Sequence, residues 1–177
     1  EGSNVTLTGL DFEDSQPDKA VLDYLKEMGA HIESVPDGIR VQGSRLKGTR
    51  IDMNRTPDAL PAMAVAAAFA EGPTELANVP QARTKETDRI HCMAEELSKL
   101  GCAVEELPDG LVIRPTGGLH PAELDGRGDH RIVMALSLAG MALPGETTID
   151  TAEAMNITFP TFVELMSTLG ARLQRKP

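Results

Sequence analysis

Residues 25–41, LKEMGAHIESVPDGIRV, and residues 97–113, LSKLGCAVEELPDGLVI, are one design written twice. Gly29, Pro36, Asp37 and Gly38 recur as Gly101, Pro108, Asp109 and Gly110, in every case 72 positions on. Each stretch starts inside an amphipathic helix that stops at a glycine, the residue best able to take the left-handed conformation just past a helix end. A short strand follows, and Pro-Asp-Gly turns the chain into a second strand. A third, partial copy lies at 165–174, LMSTLGARLQ, where Gly170 takes the place of the first glycine; a strand is expected after it too.

The other half of the design also repeats. Residues 57–79, PDALPAMAVAAAFAEGPTELANV, align with 128–152, GDHRIVMALSLAGMALPGETTIDTA. Each has an Asp at an expected N-cap, Asp58 or Asp129, then an Ala/Leu/Met helix, a turn at Gly72 or Gly145, and a strand. Both helices are apolar nearly all round, which places them in the interior. The unit is strand, helix, strand, helix, strand, strand, written βαβαββ. The expected units run over about 1–44, 45–115 and 122–177 of one α/β domain. The first is truncated, since EGSNVTLTG (1–9) aligns with EGPTELANV (71–79) and sets Glu1 and Gly2 at the end of a helix. The third lacks its last strand. Repeats of this kind share one core and do not fold separately, and the expectation is helices inside with sheets outside.

Composition narrows the function. The 177 residues carry 27 acids against 17 bases, a formal net charge of -10, with no Trp, one Tyr and four Phe. Neither a basic face nor a stacking platform for nucleic acid is expected. Cys92 and Cys102 form no Cys-x-x-Cys motif and read as buried free thiols of a reducing compartment. The apolar runs at 60–70 and 132–143 fall short of the ~18 residues of a spanning helix, and residues 1–9 are unlike a signal peptide. The expectation is a soluble, cytoplasmic protein without membrane contact. His31 and His120 lack metal spacing, no P-loop or Gly-x-Gly-x-x-Gly occurs, and Met63, Met93, Met134 and Met166 fall on helix stripes as core residues.

Three charged stretches stand out. In QARTKETDRIH (81–91), bases lead into the apolar stripe Ile90, Met93, Ala94, Leu97 and Leu100. The bland reading is a solvated helix start with local pairs such as Lys85 with Asp88, capped by Thr84 or Thr87. Against it, a base in a first turn opposes the helix dipole unless an anion lies between. Lys85 and Arg89, four apart, would share a face as an anion clamp, with Glu86 beside them to hold a proton. In GRGDHRIVMA (126–135), His130 and Arg131 open a helix, and the forked guanidinium suits carboxylate or phosphate; the bland reading is an Asp129 cap with His130 and Arg131 exposed. Arg127–Asp129 spells an adhesion tripeptide by chance, since it runs into a buried helix. In DMNRTPDALPAMA (52–64), Asp58 alone would be a plain cap. The repeat alters this, because Asp58, Lys85 and Arg131 hold equivalent positions at helix starts. Three related units would gather them into one rim, basic for anions, with Asp58 and Glu86 moving protons.

RTKETDR (83–89), MNRTPDA (53–59), DHRIVMA (129–135) and ITFPTFVELM (157–166) resemble the 5-enolpyruvylshikimate-3-phosphate synthases, or 3-phosphoshikimate 1-carboxyvinyltransferases, in the family's order and over almost the whole chain. The resemblance implies an enolpyruvyl transferase-like inside-out fold. This chain would be most of the C-terminal domain, with an N-terminal domain of the same enzyme closing the cleft. It implies transfer of the carboxyvinyl group of phosphoenolpyruvate to the 5-hydroxyl of shikimate 3-phosphate, with no cofactor and no metal. By the same resemblance Asp58 contacts shikimate hydroxyls and acts as a base. Lys85 reaches the 5-hydroxyl, and Glu86 exchanges a proton with the methylene. Arg89 and Arg131 bind the phosphoenolpyruvate anion beside His130, and Gln81 stands where many members use Asn for the shikimate moiety. Ile157 stands where many members carry Lys. The isolated chain is expected to be inactive, and an apolar groove left by the missing helix would favour self-association. Two other classes stay open here: an enolpyruvyl transferase acting on a sugar nucleotide, and a non-catalytic repeat domain that only assembles with a partner.

Overall fold

The computed structural model describes residues 2–10, 13 and 15–175. The first part of the chain gives strand β1 (Asn4–Thr8), helix α1 (Ala20–Glu27) and strands β2 (His31–Val35) and β3 (Gly38–Gln42). Strand β4 (Arg50–Asp52), helix α2 (Leu60–Ala68), strand β5 (Thr74–Ala77), helix α3 (Arg89–Lys99) and strands β6 (Ala103–Leu107) and β7 (Gly110–Arg114) follow in the order expected of a complete unit. The last part holds β8 (Glu123–Asp125), α4 (His130–Ala142), β9 (Thr148–Asp150) and α5 (Phe162–Thr168).

The sheets repeat as the sequence does. One has the order β1-β3-β2 and another β4-β5-β7-β6, so β1 stands to its hairpin as β5 stands to its own. Strand β4 lies parallel to β5 and β8 parallel to β9, while the hairpin strands are antiparallel. Residues 171–175 form no strand, which corrects the expectation for the third copy. A strand needs a partner for its backbone groups, and none of the described strands pairs with residues 171–175. The expected helix end at residues 1 and 2 falls partly on Glu1, which lies outside the described residues.

Helices α2 and α4 are inside, as their composition requires. Leu60, Met63, Ala64 and Ala67 of α2 are buried against Ile132, Leu136 and Ala139 of α4 in the main core. Helix α3 adds one stripe, Ile90, Met93 and Leu97, all fully buried; each such side chain contributes ~1.5–3 kcal/mol relative to exposure. Its outer face stays charged. Cys92 and Cys102 are buried free thiols, and burial pushes both above the usual thiol range. Among the described residues no helix is long and apolar enough to cross a membrane.

The glycines that mark the repeat have distinct physical tasks. Gly29, Gly101 and Gly170 each end a helix with φ of 93°, 90° and 94°. Gly38 and Gly110 open the second hairpin strand where the neighbouring strand crosses closely. A Cβ on Gly110 would lie 2.0 Å from the Leu76 carbonyl oxygen, and one on Gly38 1.9 Å from that of Leu7. Gly72 has φ of +82° but nothing within 4 Å of a built Cβ. Gly110→Ala should therefore cost about 3 kcal/mol, the upper range for forced overpacking, whereas Gly72→Ala should cost about 1 kcal/mol from backbone conformation alone. Urea unfolding of both variants checks this. Equal losses would mean that β5 gives way and that the close approach does not select glycine.

Candidate active site

Three segments meet where α2, α3 and α4 begin. The first is the 3-10 turn Pro57–Ala59, which continues into α2. Asp58 lies within this turn, and Thr56 holds the cap position without a side-chain cap bond. The expected capping role of Asp58 is thus corrected: its carboxylate leaves its own helix and collects cations. Lys85 Nζ lies 3.1 Å and Arg89 Nη1 2.8 Å from Oδ1, and Arg131 Nη2 lies 3.2 Å from Oδ2.

The second segment precedes α3. Asp88 is the N-cap and accepts from the His91 N–H at 3.0 Å. Asp is a better cap than Thr, so neither Thr84 nor Thr87 takes that place. Lys85 lies upstream in extended backbone (φ −86°, ψ −153°). It is not in the first turn and shares no helix face with Arg89. Lys85 and Arg89 meet through the same oxygen of Asp58 and not through helical periodicity. Asp88 pairs with Arg83 at 2.7 Å, so the local Lys85–Asp88 pair gives way to the pairing with Asp58.

The third segment leads into α4. Asp129 caps this helix as expected, accepting from the Arg131 N–H at 2.8 Å. It is also fully buried against Arg89, whose Nε and Nη2 donate at 2.8 and 3.2 Å to its two oxygens. Arg89 Nη2 donates to Glu86 at 2.5 Å as well. These bonds, with that to Asp58, use four of the five guanidinium N–H groups. Arg89 is 0% exposed. The expected basic rim is therefore a balanced cluster in which Lys85, Arg89 and Arg131 face Asp58, Glu86 and Asp129. An enclosed guanidinium could not persist without such carboxylates.

The electrostatics follow from this packing. Burial pushes the Asp58 carboxyl up, but its bond to Lys85 and the charges of Arg131, Lys85 and Arg89 outweigh burial and hold it below the usual range. Asp129 is likewise raised by burial and lowered further by its bonds to Arg89 and to the Arg131 N–H, with a net lowering. Burial alone would lower Arg89, yet Asp129, Glu86 and Asp58 raise it. Asp58, Lys85 and Arg131 side chains are each about one-third exposed; the half-exposed Glu86 is the most open member. His130 is buried in the first turn of α4, not exposed as its bland reading held, with Nδ1 4.0 Å from Asp129. Gln81 donates to the Asn54 carbonyl at 3.2 Å, and its segment, Pro80–Thr84, packs against the turn of Asp58. Ile157 is 74% exposed at the end of the turn Ala152–Ile157. Among the described residues no group of three His, Cys, Asp or Glu could hold a metal ion.

This arrangement sets two partly exposed cations, Lys85 and Arg131, beside two partly exposed carboxylates, Asp58 and Glu86. Residues 1–166 match the sequence model of EPSP synthase (3-phosphoshikimate 1-carboxyvinyltransferase). The chain belongs to the EPSP synthase family. It is 58% identical over 170 residues to the 3-phosphoshikimate 1-carboxyvinyltransferase of Ruminiclostridium cellulolyticum, covering 96% of this chain and 40% of that protein. The enzyme of the same name from Methanocaldococcus jannaschii is 44% identical over 98% of the chain and 41% of its own length. The chain thus spans about two-fifths of the relatives it matches. An Acinetobacter baumannii EPSP synthase structure superposes with a TM-score of 0.84 at 34% identity, covering 95% of this chain and 42% of that one. The enolpyruvyl transferase NikO from Streptomyces tendae gives 0.75 at 25% identity, over 99% and 40%. The enolpyruvyl transferase-like inside-out α/β fold is therefore the family's.

Of the seven expected residues the structure joins Asp58, Lys85, Glu86, Arg89 and Arg131 in one cluster, with His130 and Gln81 beside it, and it gives Asp129, expected only as a cap, a second task. The signal for its second task was Arg89 at the start of an apolar stripe, where a buried cation demands a buried anion. Asp129→Asn in this chain should preserve the cap, since Asn caps as well as Asp, yet cost about 3–5 kcal/mol by breaking the one fully buried ion pair of Arg89. Asp58 and Asp129 have depressed folded values, so their stabilisation is present above the unfolded Asp value of ~3.9 and is lost as pH falls through the folded values. Urea midpoints measured from neutral pH down to pH 2 should decline below about pH 4, and less steeply in Asp129→Asn. A variant with parent stability and parent acid sensitivity would show that Asp129 carries no charge compensation.

Proposed function

We propose that this chain is a single C-terminal-type domain of three units, about 1–44, 45–115 and 122–177. It supplies one wall of the active site of a cytoplasmic 3-phosphoshikimate 1-carboxyvinyltransferase. The observation that carries the reading is the Asp58 carboxylate, which draws Lys85 and Arg89 from the segment that opens α3 and Arg131 from the start of α4 into one partly exposed cluster. The substrates would be shikimate 3-phosphate and phosphoenolpyruvate, and the partner the N-terminal domain of the same enzyme. The reaction as proposed needs no cofactor.

The 5-hydroxyl oxygen of shikimate 3-phosphate adds to C2 of phosphoenolpyruvate while C3 gains a proton, giving a tetrahedral intermediate. Loss of a proton from that methyl group and cleavage of the C2–O bond then release phosphate and leave the enol ether. Asp58 contacts the acceptor hydroxyls and takes up the proton. Lys85 reaches the 5-hydroxyl and the transferring group. Arg131, partly exposed and held by Asp58 in the free chain, turns to the phosphoenolpyruvate anion beside His130. Glu86, half exposed, serves the methylene; its departure frees Nη2 of Arg89 for the same anion. Gln81 contacts the shikimate moiety from the neighbouring turn. In an open cluster such charge contacts contribute ~1 kcal/mol or less, while in a closed, preorganised site a single donor is worth ~10²–10³ in rate. The isolated chain therefore lacks turnover.

Phosphate release with both substrates, measured on the isolated chain and on the chain joined to the rest of its enzyme, tests this. Only the joined protein should turn over. In it, Lys85→Met should lose about 10²–10³-fold in kcat, and Glu86→Gln should bind both substrates but slow deuterium entry into the methylene. Turnover by the isolated chain, parent-like turnover in Lys85→Met, or acceptance of UDP-N-acetylglucosamine in place of shikimate 3-phosphate would overturn the reading.

A further inference from the structure

Lys85, Glu86 and Thr87 lie in neither a helix nor a strand. Inside the cluster each is held by one contact: Lys85 to Asp58, Glu86 to Arg89, and Thr87, through its hydroxyl, to Asp129 at 3.2 Å. The first two are the contacts that bound substrates would exchange under the proposed function. That leaves the Thr87 hydroxyl as the segment's one anchor inside the cluster that does not depend on the substrate.

Arg83 supplies one on the opposite side. Its Nε donates to the Pro108 carbonyl at 2.8 Å and its Nη2 to that of Leu107 at 2.6 Å. Nη1 lies 2.7 Å from Asp88 Oδ2 and 2.9 Å from Glu106 Oε1. One guanidinium, two positions before the segment, thus joins the chain there to the cap residue after it and to the β6–β7 hairpin. Neither hairpin carbonyl nor Glu106 belongs to the cluster of Asp58 and Arg89. Asp88 has a second tie, because its other oxygen caps α3, so the clasp also fixes where that helix begins. A planar fork can satisfy two carbonyls and two carboxylates together, and a lysine ammonium cannot span them.

We propose that Arg83 is a positioning residue for the transfer reaction: it clasps the Lys85–Thr87 segment to the β6–β7 hairpin and keeps Lys85 and Glu86 in place when substrate anions take over their ion pairs. It acts through Lys85 and Glu86 and touches neither substrate. The inference rests on the function proposed above.

The test uses the complete enzyme containing this chain, with kcat, KM for both substrates and deuterium entry into the phosphoenolpyruvate methylene, all read well below the thermal midpoint. Arg83→Ala should lower kcat and exchange by roughly 10²-fold, the loss expected for a misplacement of about 1 Å, with KM changed far less. Arg83→Lys should recover only part. Asp88→Asn, which keeps the cap but removes one arm of the clasp, should fall the same way and guards against a misfolded Arg83→Ala. A cycle with Lys85→Met separates positioning from plain stabilisation, because residues acting as a unit are not additive: Arg83→Ala should cost much less in that background than in the parent, the remainder acting through Glu86. A lowered thermal midpoint with parent kcat, or additive losses in the cycle, would overturn the clasp while leaving the function standing if Lys85→Met alone is crippled. Parent-like turnover in Lys85→Met would remove both.

Discussion

A guanidinium with no exposed surface is the constraint on which the rest of the structure depends. Arg89 enters the core at the first residue of α3, and its charge is tolerable there only because Asp129, Asp58 and Glu86 surround it. Those carboxylates come from α4, from the turn before α2 and from the segment before α3. Helices α2, α3 and α4 must therefore begin at the same place and at fixed relative depth. Apolar packing alone would hold the Ala- and Leu-rich flanks of α2 and α4 at several registers, since such contacts are non-directional. The forked, five-donor geometry of Arg89 selects one. The energy gained is modest or even nil compared with an apolar substitute, because desolvation opposes the ion pairs; the gain lies in registry.

How far the fold was legible follows from which forces act locally. The helix-ending glycines, the Pro-Asp-Gly turns and the Ala-rich helices are set by backbone conformation and apolar pattern within a few residues. The repeat made each visible twice, so the order of elements along the chain and the inward helices could be read directly. The final strand could not. Ala171–Gln174 carries the same lead-in as the other copies, but strand formation depends on a partner elsewhere in the chain, which no local pattern reveals.

Most members of the charged cluster were legible in the sequence, Asp129 apart, but their wiring was not. Asp58, Lys85, Glu86, Arg89 and Arg131 stood out as charges beside apolar helices, and the repeat brought them to one end. Which charge met which depended on helix boundaries: with Asp88 as the cap, Lys85 fell outside α3 and the supposed shared face disappeared. Likewise, full burial of the Arg89 guanidinium is a property of three packed helices, which its place in the sequence does not show. Arg83 seemed one charge among five, since its partners at Leu107 and Pro108 are main-chain carbonyls that carry no sequence signature.

The two buried thiols give the domain a pair of internal stopwatches. Cys92 stands in the first turn of α3, its N–H bonded to the Asp88 carbonyl, and Cys102 leads into β6 with its sulfur 3.6 Å from the Arg114 carbonyl. Both are enclosed and held protonated by burial, so an alkylating reagent reaches them only when the surrounding structure opens. Their labelling times therefore report opening at the head of α3 and at the rim of the second sheet as separate events. Substrate that tightens the first without touching the second would lengthen one time and leave the other unchanged.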